Sequence, residues 1–170
     1  AISPKVTKNL NNLGLKNIVE NYDLFFIDIW GVLHNGIYFF EDAIKTLDEL
    51  EKLNKEYVLL SNAPRPNFSV KKFLIKMGIP ENISNKVYTS GQASLDYLLK
   101  NFKDKKFFHL GPSRDFDLFD SFKINKINEI KKCGYLICTG LFDEHNQDLN
   151  YYKKMLNDEI NKKMICTNPD

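Results

Sequence analysis

This sequence is short of the features that usually give a protein away. It has three cysteines, one tryptophan, three histidines and no surplus of either charge: Lys+Arg 24 against Asp+Glu 22 leaves a formal charge of +2 over 170 residues. So even a balance gives no electrostatic basis for nucleic acid as the main partner, because that binding rests on neutralising phosphates. The pairs Lys131-Lys132 and Lys153-Lys154 read as solvated faces. The few cysteines, Cys133, Cys138 and Cys166, are odd in number and sit in apolar, strand-like runs. They read as reduced core thiols of a cytoplasmic protein and not as a disulfide framework. Their spacing matches no zinc knuckle, and no histidine pair completes one. No apolar run approaches the roughly 18 residues of a membrane span. The opening AISPKVTKNLNN lacks the apolar stretch of a signal peptide. No repeat and no low-complexity segment interrupts the chain.

What is present is a core-forming composition, 43% hydrophobic and 13% aromatic, enough for one domain or for one domain and part of another. Apolar strand candidates alternate with amphipathic helices. LFFID (24–28) precedes a predicted helix near 41–54 with Ile44, Leu47, Leu50 and Leu53 on one face. YVLLS (57–61) precedes a helix near 67–77 carrying Val70, Phe73, Leu74 and Met77, with Gly78 placed to end it. A short strand near 87–89 leads to Ser90 as a helix cap, then to Leu95, Leu98, Leu99 and Phe102. A second set follows: KFFHL (106–110), YLICT (135–139), a helix near 147–160 and MICTN (164–168). An opening helix is expected near 5–20, and a polar hinge near 100–106. Continuous apolar strands between helices predict an α/β fold, a parallel sheet with helices on both faces.

Ligands of open parallel sheets bind beyond the carboxyl ends of the strands. Asp28 closes the first strand and Ser61-Asn62 the second, on the same sheet edge. A carboxylate, a hydroxyl and a side-chain amide can there converge on one small anion, the carboxylate attacking and the donors holding oxygens, as in covalent catalysis through an acyl phosphate. The plainer alternative, Asp28 capping a loop and Ser61 starting a turn, is about as good on spacing alone.

FFIDIWGVLHNG together with VLLSNAPRP resembles the first two motifs of the haloacid dehalogenase superfamily, in its class IIA branch of NagD-type and 4-nitrophenyl phosphatases. VYTSGQASLDYLL, FFHLGPSRD and ICTNPD resemble later landmarks of that branch, so the resemblance covers about residues 20–170. It implies a Rossmann-like core over residues 1–103 and part of an inserted α/β cap over 104–170. It implies Asp28 as nucleophile and Mg²⁺ ligand, with the backbone carbonyl of Trp30 as second metal ligand. Ser61 would bond the transferring phosphoryl group, beside Asn62 and the amides of Ile29–Gly31. Arg65 is a substrate-contact candidate, set against a solvated helix-start role. Gly31 and Gly36 would allow the tight turns of a flap over 32–40, which carries His34. Thr167, Asn168, Pro169 and Asp170 would face the site from the cap. The substrate would be a small phosphorylated metabolite; dimerisation through the cap, or association with a C-terminal half, would supply partners.

Two departures qualify that expectation. Trp30 stands where the branch carries a second Asp, which protonates the leaving group and then activates water. Positioned acid–base catalysis is worth roughly 10² to 10⁴ in rate, and an indole N–H cannot supply it. The third and fourth motifs, a lysine loop and an Asp-rich strand end, are absent from the 170 residues. Asp115, Asp117 and Asp120 read as a helix start or solvated face and not as replacement ligands. The expectation is an N-terminal piece of a longer protein, impaired as a phosphatase; the alternative is a non-catalytic remnant that binds a ligand or a protein. A phospho-accepting receiver domain, which also uses a strand-end Asp, lacks its acidic pair and later lysine here.

Overall fold

A computed structural model describes residues 14–168. Its strands form two three-stranded parallel sheets, each in simple sequence order: β1 (Leu24–Asp28), β2 (Glu56–Ser61), β3 (Val87–Thr89), then β4 (Phe107–Leu110), β5 (Tyr135–Cys138), β6 (Lys163–Cys166). Parallel neighbours need a crossover between them. Here α1 (Glu41–Lys52) joins β1 to β2, and α2 (Asn67–Met77) with the one-turn α3 (Glu81–Ser84) joins β2 to β3. Helix α4 (Ser90–Asn101) leads into the second sheet, a kinked run of 3-10 turns over Ser113–Asn125 follows β4, and α5 (Leu149–Leu156) precedes β6.

The six strands fall within two residues of their predicted places, the widest difference being β6, expected over 164–168 and found at Lys163–Cys166. The helices differ more, and for local reasons. Helix α2 ends on Gly78, left-handed at φ 101°, as predicted. The cap of α4 is Thr89 and not Ser90: the Thr89 hydroxyl accepts from the Gln92 amide at 2.8 Å. Ser90 instead donates to the carbonyls of Asn62 (2.8 Å) and Ala63 (3.1 Å). Helix α5 is shorter than predicted. Asp148 caps it by accepting from the Tyr151 amide at 3.0 Å, and it gives way to a 3-10 turn at Asn157–Glu159, where Asn and Asp disfavour helix. The expected opening helix is, over its described part, two 3-10 turns, Leu15–Asn17 and Val19–Asn21, in which Val19 alone is buried. Its remainder lies outside the described residues.

Each sheet has its own core. Tyr57, Leu59 and Val87 of the first sheet pack with Leu47 and Leu50 of α1, Leu74 of α2, Ile79 and Ile83. Side chains alternate across a strand, and the alternate residues Leu24, Phe26, Leu60 and Tyr88 form the opposite face. Among the described residues nothing covers it, and Phe26 is 67% exposed. The second core joins Phe107, Tyr135 and Ile137 to Leu118, Phe119 and Phe122 of the 3-10 run and to Leu98 and Phe102 of α4. Helix α4 therefore begins at the edge of the first sheet and ends inside the second core, with the Phe102 ring centroid 4.5 Å from that of Tyr135. The expected division at residue 103 falls just beyond that contact. The cysteines do not share the core as expected. Cys133 is buried, Cys138 half-buried and Cys166 exposed, on β6, the outermost strand of its sheet among the described residues.

Candidate active site

The register of β1 on β2 sets Asp28 opposite Leu60, and that of β2 on β3 sets Ser61 opposite Thr89. The three strands therefore end together. Beyond them opens a cleft of about 680 Å³ lined by Asp28, Ser61, Asn62, Thr89, Ser90 and Ala93, whose floor is the bare sheet face of Phe26, Leu60 and Tyr88. Three of the expected residues, Asp28, Ser61 and Asn62, are thus brought to one place. Asp28 is exposed and, among the described residues, is the single carboxylate in the lining.

The loops that hold these groups are closed by their own polar atoms. Asp28 Oδ1 accepts from the Ile29 amide at 2.8 Å. The Ile29 carbonyl takes the amides of Val32, Leu33 and His34, and the Gly31 amide donates to the His34 carbonyl at 2.8 Å. Of the amides expected to face the phosphoryl group, those of Ile29 and Gly31 are thus already engaged. Ser61 Oγ accepts from the Ala63 amide at 3.1 Å. The Asn62-Ala63 turn is fastened to α4 by Ser90 and by the Gly91 amide, which donates to the Ala63 carbonyl at 3.0 Å. A Cβ on Gly91 would meet the Arg65 backbone at 2.4 Å, so this approach admits glycine alone.

Trp30 is not in the cleft. Its side chain is 66% exposed and lies over Gly36, where a Cβ would meet the indole at 2.6 Å. Its ring is edge-on to His34, 5.4 Å away, and His34 is edge-on to Phe73 at the same spacing. His34 is buried and its Nδ1 accepts from the Gly36 amide at 2.9 Å. Burial lowers its pKa, which favours the neutral ring that this bond requires. Trp30 and His34 thus brace the flap, while Gly31 and Gly36, at φ 74° and 92°, make its turns as predicted.

Arg65 also lies outside the cleft lining. Its Nε and Nη2 donate to Asp117 Oδ2 at 3.1 and 2.7 Å, and Ser69 Oγ donates to the same oxygen at 2.6 Å. The guanidinium expected near substrate instead ties the first sheet's α2 region to the 3-10 run of the second. Asp117 Oδ1 is buried with no hydrogen-bond partner among the described residues. The other two acids of that run divide. Asp120 is exposed, and Asp115 is buried, its pKa raised by that burial against the lowering bond from Thr139. Thr139 also bonds His109 Nε2 at 2.7 Å. Neither this network nor the Arg65–Asp117 pair was legible in the sequence, since the partners lie tens of residues apart. Tyr88 and Ser90 were within reach of sequence reasoning, because strand alternation and sheet order place them beside Leu60 and Asn62.

Among the described residues no three of His, Cys, Asp and Glu stand close enough to hold a metal ion. Mg²⁺ demands near-octahedral oxygen ligation. One carboxylate and a neighbouring backbone carbonyl do not meet that demand, so the residues described do not by themselves fit a Mg²⁺ site. No helix among them is long and apolar enough to cross a membrane.

Comparison with known proteins bears on what the cleft is. A family model described as haloacid dehalogenase-like hydrolase matches residues 25–125. Among solved structures, a haloacid dehalogenase-like hydrolase from Brucella suis 1330 is 31% identical, with a TM-score of 0.77 over 92% of this chain and 57% of that one. A 4-nitrophenylphosphatase from Thermotoga maritima is 22% identical, with a TM-score of 0.66 over 90% of this chain and 57% of its own. The magnesium complex of a glycerol phosphate phosphatase from Mycobacterium tuberculosis is 16% identical, with a TM-score of 0.64 over 90% and 46%. The last two show a shared fold. The chain spans little more than half the length of the first two and less than half of the third. No curated protein matches the chain by sequence.

Proposed function

The chain belongs to the haloacid dehalogenase-like hydrolase family, and from that premise we propose that its strand-end cleft is a phosphoryl-transfer site for small phosphorylated metabolites, with Asp28 as nucleophile. The observation that carries this reading is the meeting of Asp28, Ser61 and Asn62 at the carboxyl edge of one parallel sheet. An Asp28 carboxylate oxygen attacks phosphorus, the ester P–O bond breaks, and the leaving alkoxide departs as an acyl phosphate forms on Asp28. Ser61 Oγ and the Asn62 amide are the donors placed to hold phosphoryl oxygens. Water then hydrolyses the acyl phosphate, returning the carboxylate and releasing phosphate. The Thermotoga and Mycobacterium structures support phosphatase chemistry and, in the second, a divalent ion for the family; Mg²⁺ here calls for oxygen ligands beyond those described.

Trp30 sets the expected limit. Its indole points away from the cleft, and among the described residues no acid besides Asp28 lines it to protonate a leaving group. Turnover should therefore be slow and depend steeply on the leaving group: 4-nitrophenyl phosphate, whose leaving group needs no proton, should be cleaved, and glycerol phosphate hardly at all. The test is 4-nitrophenyl phosphate hydrolysis by the chain with and without Mg²⁺, compared with Asp28→Asn. We expect the substitution to abolish the rate; an unchanged rate would show that Asp28 is not the nucleophile.

The same lone carboxylate favours a second reading, a module that binds a phosphorylated ligand without turning it over. Saturable phosphate binding, lost in Asp28→Asn and unaccompanied by hydrolysis of 4-nitrophenyl phosphate, would favour it over the first.

A further inference from the structure

Two of the three cysteines are paired by the fold. Cys138 and Cys166 end β5 and β6 and are register partners. Partners in a parallel ladder point to the same face from strands about 4.8 Å apart, inside the roughly 4.4–6.8 Å between Cα atoms that a disulfide spans. The strands do not splay past them, because the Thr167 amide donates to the Cys138 carbonyl at 2.9 Å and the Thr167 hydroxyl does so at 3.3 Å. Cys166 is exposed. Cys138 is half-buried at the rim of an apolar pocket of about 390 Å³ between the sheet and α5, lined also by Leu110, Leu149, Tyr152 and Met164. The third thiol, Cys133, is buried away from the pair and donates to the Ile130 carbonyl at 3.0 Å.

We propose that Cys138 and Cys166 are a modification site: a cross-strand dithiol that closes reversibly to a disulfide when met by a small disulfide oxidant such as oxidised glutathione. The site is independent of the phosphoryl chemistry at Asp28. Exposure makes Cys166 the entry point. Its thiolate attacks one sulfur of the oxidant, breaking that S–S bond and expelling one glutathione thiolate. Cys138 then loses its proton and displaces the second glutathione from Cys166. Two protein thiols give up two electrons and two protons, and one glutathione disulfide becomes two glutathione thiols. The order follows from the surroundings. Burial, with the neighbouring Cys166 adding to it, pushes the Cys138 thiol up to about 11, so it serves as the resolving and not the attacking group. The closed bridge pins edge strand β6 to β5 and constrains the unfolded chain between them.

The test is to treat the full chain with oxidised glutathione, alkylate it under denaturing conditions, and map the peptides by mass spectrometry. The expected product loses two hydrogens, retains no glutathione, keeps Cys133 as its one alkylated thiol, and yields a Cys138–Cys166 linked peptide that dithiothreitol releases. Cys133→Ser should leave that link intact. Cys138→Ser should stop at a stable glutathione adduct on Cys166. Three alkylated thiols in the treated chain, a lasting glutathione adduct on its Cys166, or a link to Cys133 would each overturn the proposal.

Discussion

Gly36 and Trp30 explain each other. The indole lies on the glycine because no side chain is there, and the backbone turns at φ 92° because no Cβ opposes it. Gly36→Ala meets both obstacles, strain at positive φ and a ring 2.6 Å from the new carbon. We expect it to lower stability by about 1–3 kcal/mol, measured by urea denaturation, and to raise the protease sensitivity of the flap. Residue types carried part of this information. Asp28, Ser61 and Asn62 were legible because a polar group ending an apolar strand has few roles, and the strand order sent all three to one edge. The orientation of Trp30 was not legible. Its place relative to Asp28 pointed to the missing proton donor, but only packing against Gly36 and His34 decides that the indole turns outward.

At the scale of elements, β4 carries a built-in response to acid. His109 is buried on the core face of that strand, bonded to Thr139, and burial with the nearby Lys126 charge lowers its pKa to about 4. The unfolded chain takes up a proton near pH 6.5 and the folded chain does not until about pH 4. The contribution of His109 is therefore complete above about pH 6.5 and is lost progressively as pH falls towards 4. Denaturation midpoints should be flat above that window and drop within it. His34, lowered in the same direction by burial, adds to the slope. His109→Gln should flatten much of it, which a pH series of urea titrations would read. Strands were the most legible elements, since short apolar runs between helices leave little freedom in their placement. The 3-10 run over Ser113–Asn125 was not: Leu118, Phe119 and Phe122 are buried at helical spacing, yet the backbone is non-helical at Phe119 and Phe122 and the run is kinked there.

For the molecule as a whole, the joint between the sheets matters most. Arg65 and Ser69 donate three hydrogen bonds to one carboxylate oxygen of Asp117 across the joint, and α4 crosses it with Leu98 and Phe102 in the second core. Arg65→Ala removes the charged partner of a largely buried carboxylate. It should cost about 1–3 kcal/mol and speed proteolytic cleavage near residues 100–106 more than within either sheet, as gel analysis of limited digests would show. Unchanged cleavage there would mean that α4 alone sets the joint. The two sheets could be read from the sequence and the joint could not, because an ion pair spanning 52 residues leaves no local pattern.

The simple order of the strands has a consequence for how the chain comes into being. The first core draws on residues from Val19 to Val87, and the second takes up its first buried side chain at Leu98. The two sets do not interleave. During synthesis the buried residues of the first core are all made before those of the second, so that core can begin to close while the rest still emerges from the ribosome. The Arg65–Asp117 bond must wait for a partner made 52 residues later, so it joins the first core to a segment that emerges after it.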